Sequence, residues 1–223
     1  MSRRSLTALI VLVVVSLVAL AVVARDRRGE GPTAIVRSQE GPFRAGPLPD
    51  GLDRKPAPGF RLADARGGTL DSRSLRGRPY LLTFLFTDCR DVCPLIGREI
   101  GEALQLLGPR AREVAAVAVS VDPEGDTRPA VRAWLRKQRL PDNFHYLVGN
   151  RRRLQPVWRA YFAAPQPAGT EESRHTASIW VIDARGRLRA KFSGGAPVRP
   201  RDIAHDLGLL VRESRSSAEG AES

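Results

Sequence analysis

The chain has 223 residues, and 42% of them are hydrophobic, which suits one globular domain with a full core and excludes a chain disordered throughout. Its formal charge is +12, carried almost wholly by scattered arginines with no interleaved aromatic motif, so a nucleic-acid partner is not expected. Cys89 and Cys93 are its two cysteines, too few for a disulfide scaffold but enough for a redox or metal pair.

Residues 1–25 are expected to lie outside the fold. Ser2-Arg3-Arg4 precedes an uncharged apolar run, Leu6 to Ala24, of about the length that spans a bilayer. It reads as an uncleaved N-terminal membrane anchor, with a cleaved signal segment as the alternative. Either reading puts the rest of the protein on the extracytoplasmic side of the cell membrane. Residues 26–56, rich in Gly, Pro and Arg, read as a flexible linker.

The globular domain is expected over residues 57–212. Phe60-Arg61-Leu62 is a short strand before a Gly67-Gly68 turn. PYLLTFLF, Pro79 to Phe86, is a near-continuous apolar run, as a strand covered on both faces requires. Leu95, Ile96, Ile100, Ala103, Leu104 and Leu107 make a helical stripe closed by Gly108-Pro109. VAAVAVSV, Val114 to Val121, is a second buried strand. Arg128 to Arg139 reads as a helix and Phe144 to Val148 as a short strand. Arg151 to Phe162 reads as a helix. Ser178 to Ile182 and Leu188 to Phe192 flank a hairpin turn. Ile203 to Val211 is the last helix, and residues 213–223 read as a disordered tail. The order is an α/β plan: a central sheet with helices on both faces.

Cys89 and Cys93 fall just past the end of a central strand, where open α/β sheets place their chemistry. Pro94 suits the first turn of a helix, so Cys93 sits at or near the helix N-terminus and Cys89 in the loop leading in. The helix dipole there favours thiolate. Three residues between the cysteines, against two in dithiol oxidoreductases, still allow a disulfide. The same spacing allows two arms of a metal site with room for an imidazole, a set that suits copper or zinc. Of three histidines, His145 lies in a strand pattern and His205 in a helix pattern, where packing roles are the plain reading. His175 lies in a polar loop before the strand ASIWVID and can fold back over the cysteines.

Three segments, TDCRDVCP (Thr87 to Pro94), SVDPEGDT (Ser120 to Thr127) and RHTASIWVIDARGRL (Arg174 to Leu188), are similar to motifs of one family. So is the run LRGRPYLLTFLFT. The chain resembles the Sco/SenC family of membrane-anchored copper-binding proteins, over about Pro58 to Val211. The resemblance implies a thioredoxin-like fold and a mixed sheet. It implies Cys89, Cys93 and His175 as ligands of one copper ion, Cu(I) or Cu(II), and a metallochaperone that delivers copper to the CuA site of cytochrome c oxidase. The expected partners are the CuA-bearing oxidase subunit and a thiol reductant or upstream copper donor. Asp91 and Asp122 are candidates to orient the site or dock a partner; each could instead cap a turn. Arg90, Arg174 and Thr176 depart from the family's usual proline, aspartate and serine. A thiol–disulfide oxidoreductase cycling Cys89 and Cys93 is the alternative function. A peroxiredoxin is disfavoured, because its Pro-x-x-x-Thr-x-x-Cys signature is absent.

Overall fold

The computed structural model describes residues 41–49, 51–166, 178–193 and 198–220. The expected anchor, residues 1–25, and linker residues 26–40 lie outside them. Among the described residues no helix is long and apolar enough to cross a membrane.

Seven strands form one mixed sheet: β1 (Arg61–Asp64), β2 (Thr69–Asp71), β3 (Tyr80–Leu85), β4 (Ala115–Ser120), β5 (Phe144–Val148), β6 (Ser178–Ile182) and β7 (Leu188–Ser193). Their spatial order is β2-β1-β5-β4-β3-β6-β7. The central three, β5, β4 and β3, are parallel; β1, β2, β6 and β7 join by antiparallel pairs. β3 and β4 are buried at every position, which explains their unbroken apolar sequence.

The α-helices among the described residues are α1 (Val92–Leu106), α2 (Arg128–Lys137), α3 (Arg151–Ala160) and α4 (Pro200–Glu219). Thr127 caps α2 by accepting from the Ala130 N–H, and Asn150 caps α3 by accepting from the Arg153 N–H, each satisfying one orphan donor. Tyr161, at the end of α3, meets the rings of Phe84 and Trp180 at 5.9 and 5.7 Å. Trp134 of α2 meets Tyr146 of β5 at 5.7 Å. Tyr146 aligns through Ala118 with Thr83, the strand neighbour of Phe84, so the two aromatic contacts lie on opposite faces of the sheet. Both faces are therefore helix-covered, as expected.

Two expectations need correction. The linker was expected to stay flexible to residue 56, yet its second half is bound to the domain. Asp206, a fully buried residue of α4, accepts from the Arg44 N–H at 2.7 Å and the Ala45 N–H at 2.8 Å. Gly46 pairs with Lys191, and Pro56 with Arg187, along β7. The tail was expected to be disordered from residue 213, yet α4 runs to Glu219. Arg215 forks onto Glu113 at 2.6 and 3.0 Å, Glu213 holds Arg189 at 2.6 Å, and Ser217 accepts from Arg185 at 3.3 Å. Composition hid both, because the polar residues involved find partners far away in sequence. Asp206→Ala would leave two N–H groups of the bound segment without an acceptor. It is expected to cost about 3 kcal/mol, read as a lower urea midpoint, with amide exchange of residues 44–46 accelerated.

Candidate metal and thiol site

The β3 strand ends at Leu85, and the next residues turn toward the start of α1. The Cys89 N–H donates to the Phe86 carbonyl at 3.4 Å. Asp91 occupies the N-cap position of α1, but its side chain makes no capping hydrogen bond. The Cys89 sulfur takes that role: Sγ accepts from the Cys93 N–H at 3.3 Å. Cys93 is the second helical residue and Pro94 the third, close to where the sequence placed them.

Both sulfurs stand as thiols under cover, with Cys89 6% exposed and Cys93 fully buried. Their acidities are split. The hydrogen bond from the Cys93 side chain lowers the Cys89 thiol to about 6, against some opposition from burial, with backbone N–H groups of Cys93, Asp91 and Val92 adding to the effect. Donating that hydrogen bond, together with burial, pushes Cys93 upward. Cys89 is thus the thiol that ionises first. Iodoacetamide is expected to label Cys89 before Cys93, with the labelling rate at half its plateau near pH 6. Labelling of Cys93 first, followed by peptide mass mapping, would overturn the assignment.

Asp126 fixes the loop from below. It is 4% exposed and accepts three hydrogen bonds: from the Thr87 N–H at 2.8 Å, the Ser120 hydroxyl at 2.6 Å and the Tyr146 hydroxyl at 3.0 Å. Burial is the main cause that raises its pKa above the ordinary carboxylate range. One carboxylate therefore ties the cysteine loop to the end of β4 and to the middle of β5. Asp126 was not among the candidate site residues; the sequence signal for it is its place in SVDPEGDT, four residues after Asp122.

Asp122 does something smaller. Its Oδ1 accepts from the Glu124 N–H at 3.2 Å and the Gly125 N–H at 3.0 Å, which closes its own turn. A side chain on Gly125 would collide with that carboxylate. Asp91 is exposed between the cysteines. His145 of β5 lies 2.7 Å from the Asp64 carboxylate of β1, and His205 2.9 Å from its neighbour Asp206, so each is engaged by a carboxylate. His175, with Arg174 and Thr176, lies outside the described residues.

Leu95, 42% exposed, follows Cys93 by two residues, and Phe162 is 74% exposed. Phe162 adopts φ +57 at the end of α3. The Ala163 N–H reaches the Trp158 carbonyl at 2.8 Å. That closure usually selects glycine, and a bulky residue there is uncommon.

The fold and the paired thiols together define a thioredoxin-like domain with its cysteines at the strand-to-helix junction. A solved chain from Chlorobium tepidum, a thiol:disulfide interchange protein of the thioredoxin family, matches 71% of this chain and 97% of its own with a TM-score of 0.50 and 22% identity. The copper-bound ScoI of Bradyrhizobium japonicum is 31% identical, with 70% of this chain covering 99% of that one at a TM-score of 0.60. BsSco, a member of the Sco family of cytochrome c oxidase assembly proteins in which a disulfide switch is identified, is 21% identical. The match covers 74% of this chain and 98% of that one at a TM-score of 0.62. The SCO1/SenC family model matches residues 52–212. The chain belongs to the SCO1/SenC family.

Proposed function

We propose that this protein is a copper metallochaperone. Cys89 and Cys93 hold one copper ion as thiolates, His175 supplies an imidazole, and the cargo passes to the CuA site of cytochrome c oxidase. The observation that carries the reading is the Cys89 sulfur, met at 3.3 Å by the Cys93 N–H at the start of α1. An acidic thiol at a helix N-terminus is ready to exchange its proton for a soft cation. Two sulfurs brought together at the loop-to-helix junction fit Cu(I), which favours thiolate donors. The copper-bound B. japonicum relative supports the same chemistry. With His145 and His205 engaged on carboxylates, His175 is the histidine to complete the set. Delivery then proceeds by ligand exchange, with Cys93 held in the helix as the fixed donor and Cys89, in the loop, as the donor that releases. The domain works on the extracytoplasmic side of the membrane, tethered by residues 1–25, with residues 26–40 as spacer.

A thiol–disulfide oxidoreductase is the second reading. It is favoured by the acidic, first-ionising Cys89 beside a buried partner thiol, the asymmetry that dithiol exchange uses. The test is a competitive Cu(I) titration of the reduced protein against a chelator of known affinity, alongside Cys89→Ala, Cys93→Ala and His175→Ala. One-to-one binding weakened by all three substitutions supports the chaperone. Absence of competitive binding with intact thiol exchange transfers the assignment to the oxidoreductase.

A further inference from the structure

The domain is electrically polarised along its strands. β3, β4 and β5 are parallel, so their C-terminal ends share the cysteine pole and the segments entering them share the opposite pole. β6 runs antiparallel to β3, which places its closing turn at that opposite pole too. The last turns of α4 reach the same place through the Arg215–Glu113 and Arg185–Ser217 contacts. Residues 75–79, 107–114, 138–143, 183–187 and 212–217 make up this far pole and carry nine arginines against four carboxylates. At the cysteine pole, residues 87–91, 121–128 and 149–153 carry five carboxylates against five arginines, so the charges there balance. β3 alone, six residues long, separates the poles by about 20 Å.

The far pole neutralises only part of its charge: Arg215 pairs with Glu113 and Arg187 with Asp183, and other arginines there stand together. A Cβ on Gly208 would stand 3.7 Å from Arg212 Nη1 and 3.8 Å from Arg110 Nη1, so two guanidinium groups converge over one glycine. Arg76, Arg112, Arg139 and Arg212 are exposed and form no ion pair among the described residues. Leu106, the last residue of α1, is 61% exposed. A cleft of about 700 Å³ opens at the same pole, lined by Arg185, Arg187 and Arg212 and by the carboxylates Asp183 and Glu213, which Arg187 and Arg189 engage. Clustered arginines, an exposed leucine and a cleft of headgroup size match the charge and polarity gradient of an anionic bilayer surface.

We propose that the arginine pole docks on anionic phospholipid, so that the cysteine pole is held away from the bilayer and open to partners. This rests on the extracytoplasmic membrane location proposed above, but its physics does not need the anchor. An acidic protein partner is disfavoured, because the charge is spread over five separate segments and is not gathered into one groove.

Residues 41–223 form a separate compact unit. The B. japonicum chain, 99% of which matches 70% of this one, folds as such a body, so residues 41–223 serve as the test protein. Flotation with vesicles of phosphatidylcholine alone, and with about one third phosphatidylglycerol, gives partition coefficients. Binding is expected only to the anionic vesicles and should be lost in about 1 M salt. Arg110→Gln/Arg112→Gln/Arg212→Gln is expected to weaken it about a hundredfold, from roughly fivefold for each arginine near the surface. Arg128→Gln/Arg152→Gln/Arg159→Gln, with the same loss of charge elsewhere, should weaken it less than tenfold. Amide exchange should slow at residues 108–113 and 184–187 on anionic vesicles, with Cys89 still open to iodoacetamide. Equal loss in both triple variants, absence of binding to anionic vesicles, or protection of Cys89 would overturn the proposal. Cu(I) titration of the same samples reports on the copper reading separately.

Discussion

Asp126→Ala is expected to lower the unfolding free energy by about 4 kcal/mol and to weaken Cu(I) binding ten- to a hundredfold. The carboxylate is 4% exposed and receives the Thr87 N–H and the Ser120 and Tyr146 hydroxyls. Alanine leaves these three donors without their acceptor and opens a void. The hydroxyls can rotate to other partners, but the Thr87 N–H cannot, so the loss concentrates in the loop that carries Cys89. Asp126→Asn should cost far less, because its carbonyl can serve Thr87 while its NH₂ donates to the hydroxyl oxygens. Burial raises the Asp126 pKa in the folded state, so the folded protein binds a proton that the unfolded chain has already lost. Stability therefore falls as pH rises from the ordinary carboxylate range through the raised value, and is flat above it. The Asn variant lacks that fall and should gain on the wild type across the same window. Urea titrations of the three proteins across acidic pH check both statements. An Ala variant as stable as the wild type would sink the role given to this residue.

The second large effect separates metal binding from thiol chemistry. Cys89→Ala and Cys93→Ala should each cost more than about a hundredfold in Cu(I) affinity, since loss of a direct ligand exceeds the loss of an outer partner. Both should also abolish dithiol exchange. His175→Ala should reduce copper affinity while leaving the exchange rate and the alkylation profile of Cys89 in place, because the acidity of Cys89 is set chiefly by Cys93 and the start of α1. Competitive copper titration and mixed-disulfide kinetics on one preparation read the two functions together. Equal loss of both in the His175 variant would remove its assignment as a ligand specific to copper.

Local patterning carried most of the architecture. β5 and β6 coincide with their apolar runs, and β3 and β4 differ from theirs only at the ends. β3, β4 and β6 bury every residue and β5 all but the half-buried His145, so local hydrophobicity and final environment agree. β2, three residues long, has too little sequence to show a period; its pairing with β1 makes it a strand. Long-range polar contacts escaped for the same reason. Nothing near Arg44 in sequence announces that its N–H meets Asp206, which lies 162 positions away. At the site, the cysteines and their helix were legible because proline and spacing are local signals. Asp126 was not, since its importance comes from Thr87, 39 residues earlier, and from Tyr146, 20 residues later.

The segment beside β7 has a consequence for solubility. A sheet ends in unpaired amide and carbonyl groups, and an exposed edge is a template on which other chains polymerise. Here Gly46 and Pro56 occupy the outer side of β7 at Lys191 and Arg187, and the opposite border is only the short β2. Neither border presents a long open ladder. Copies at high local concentration can therefore collide often without growing into fibres.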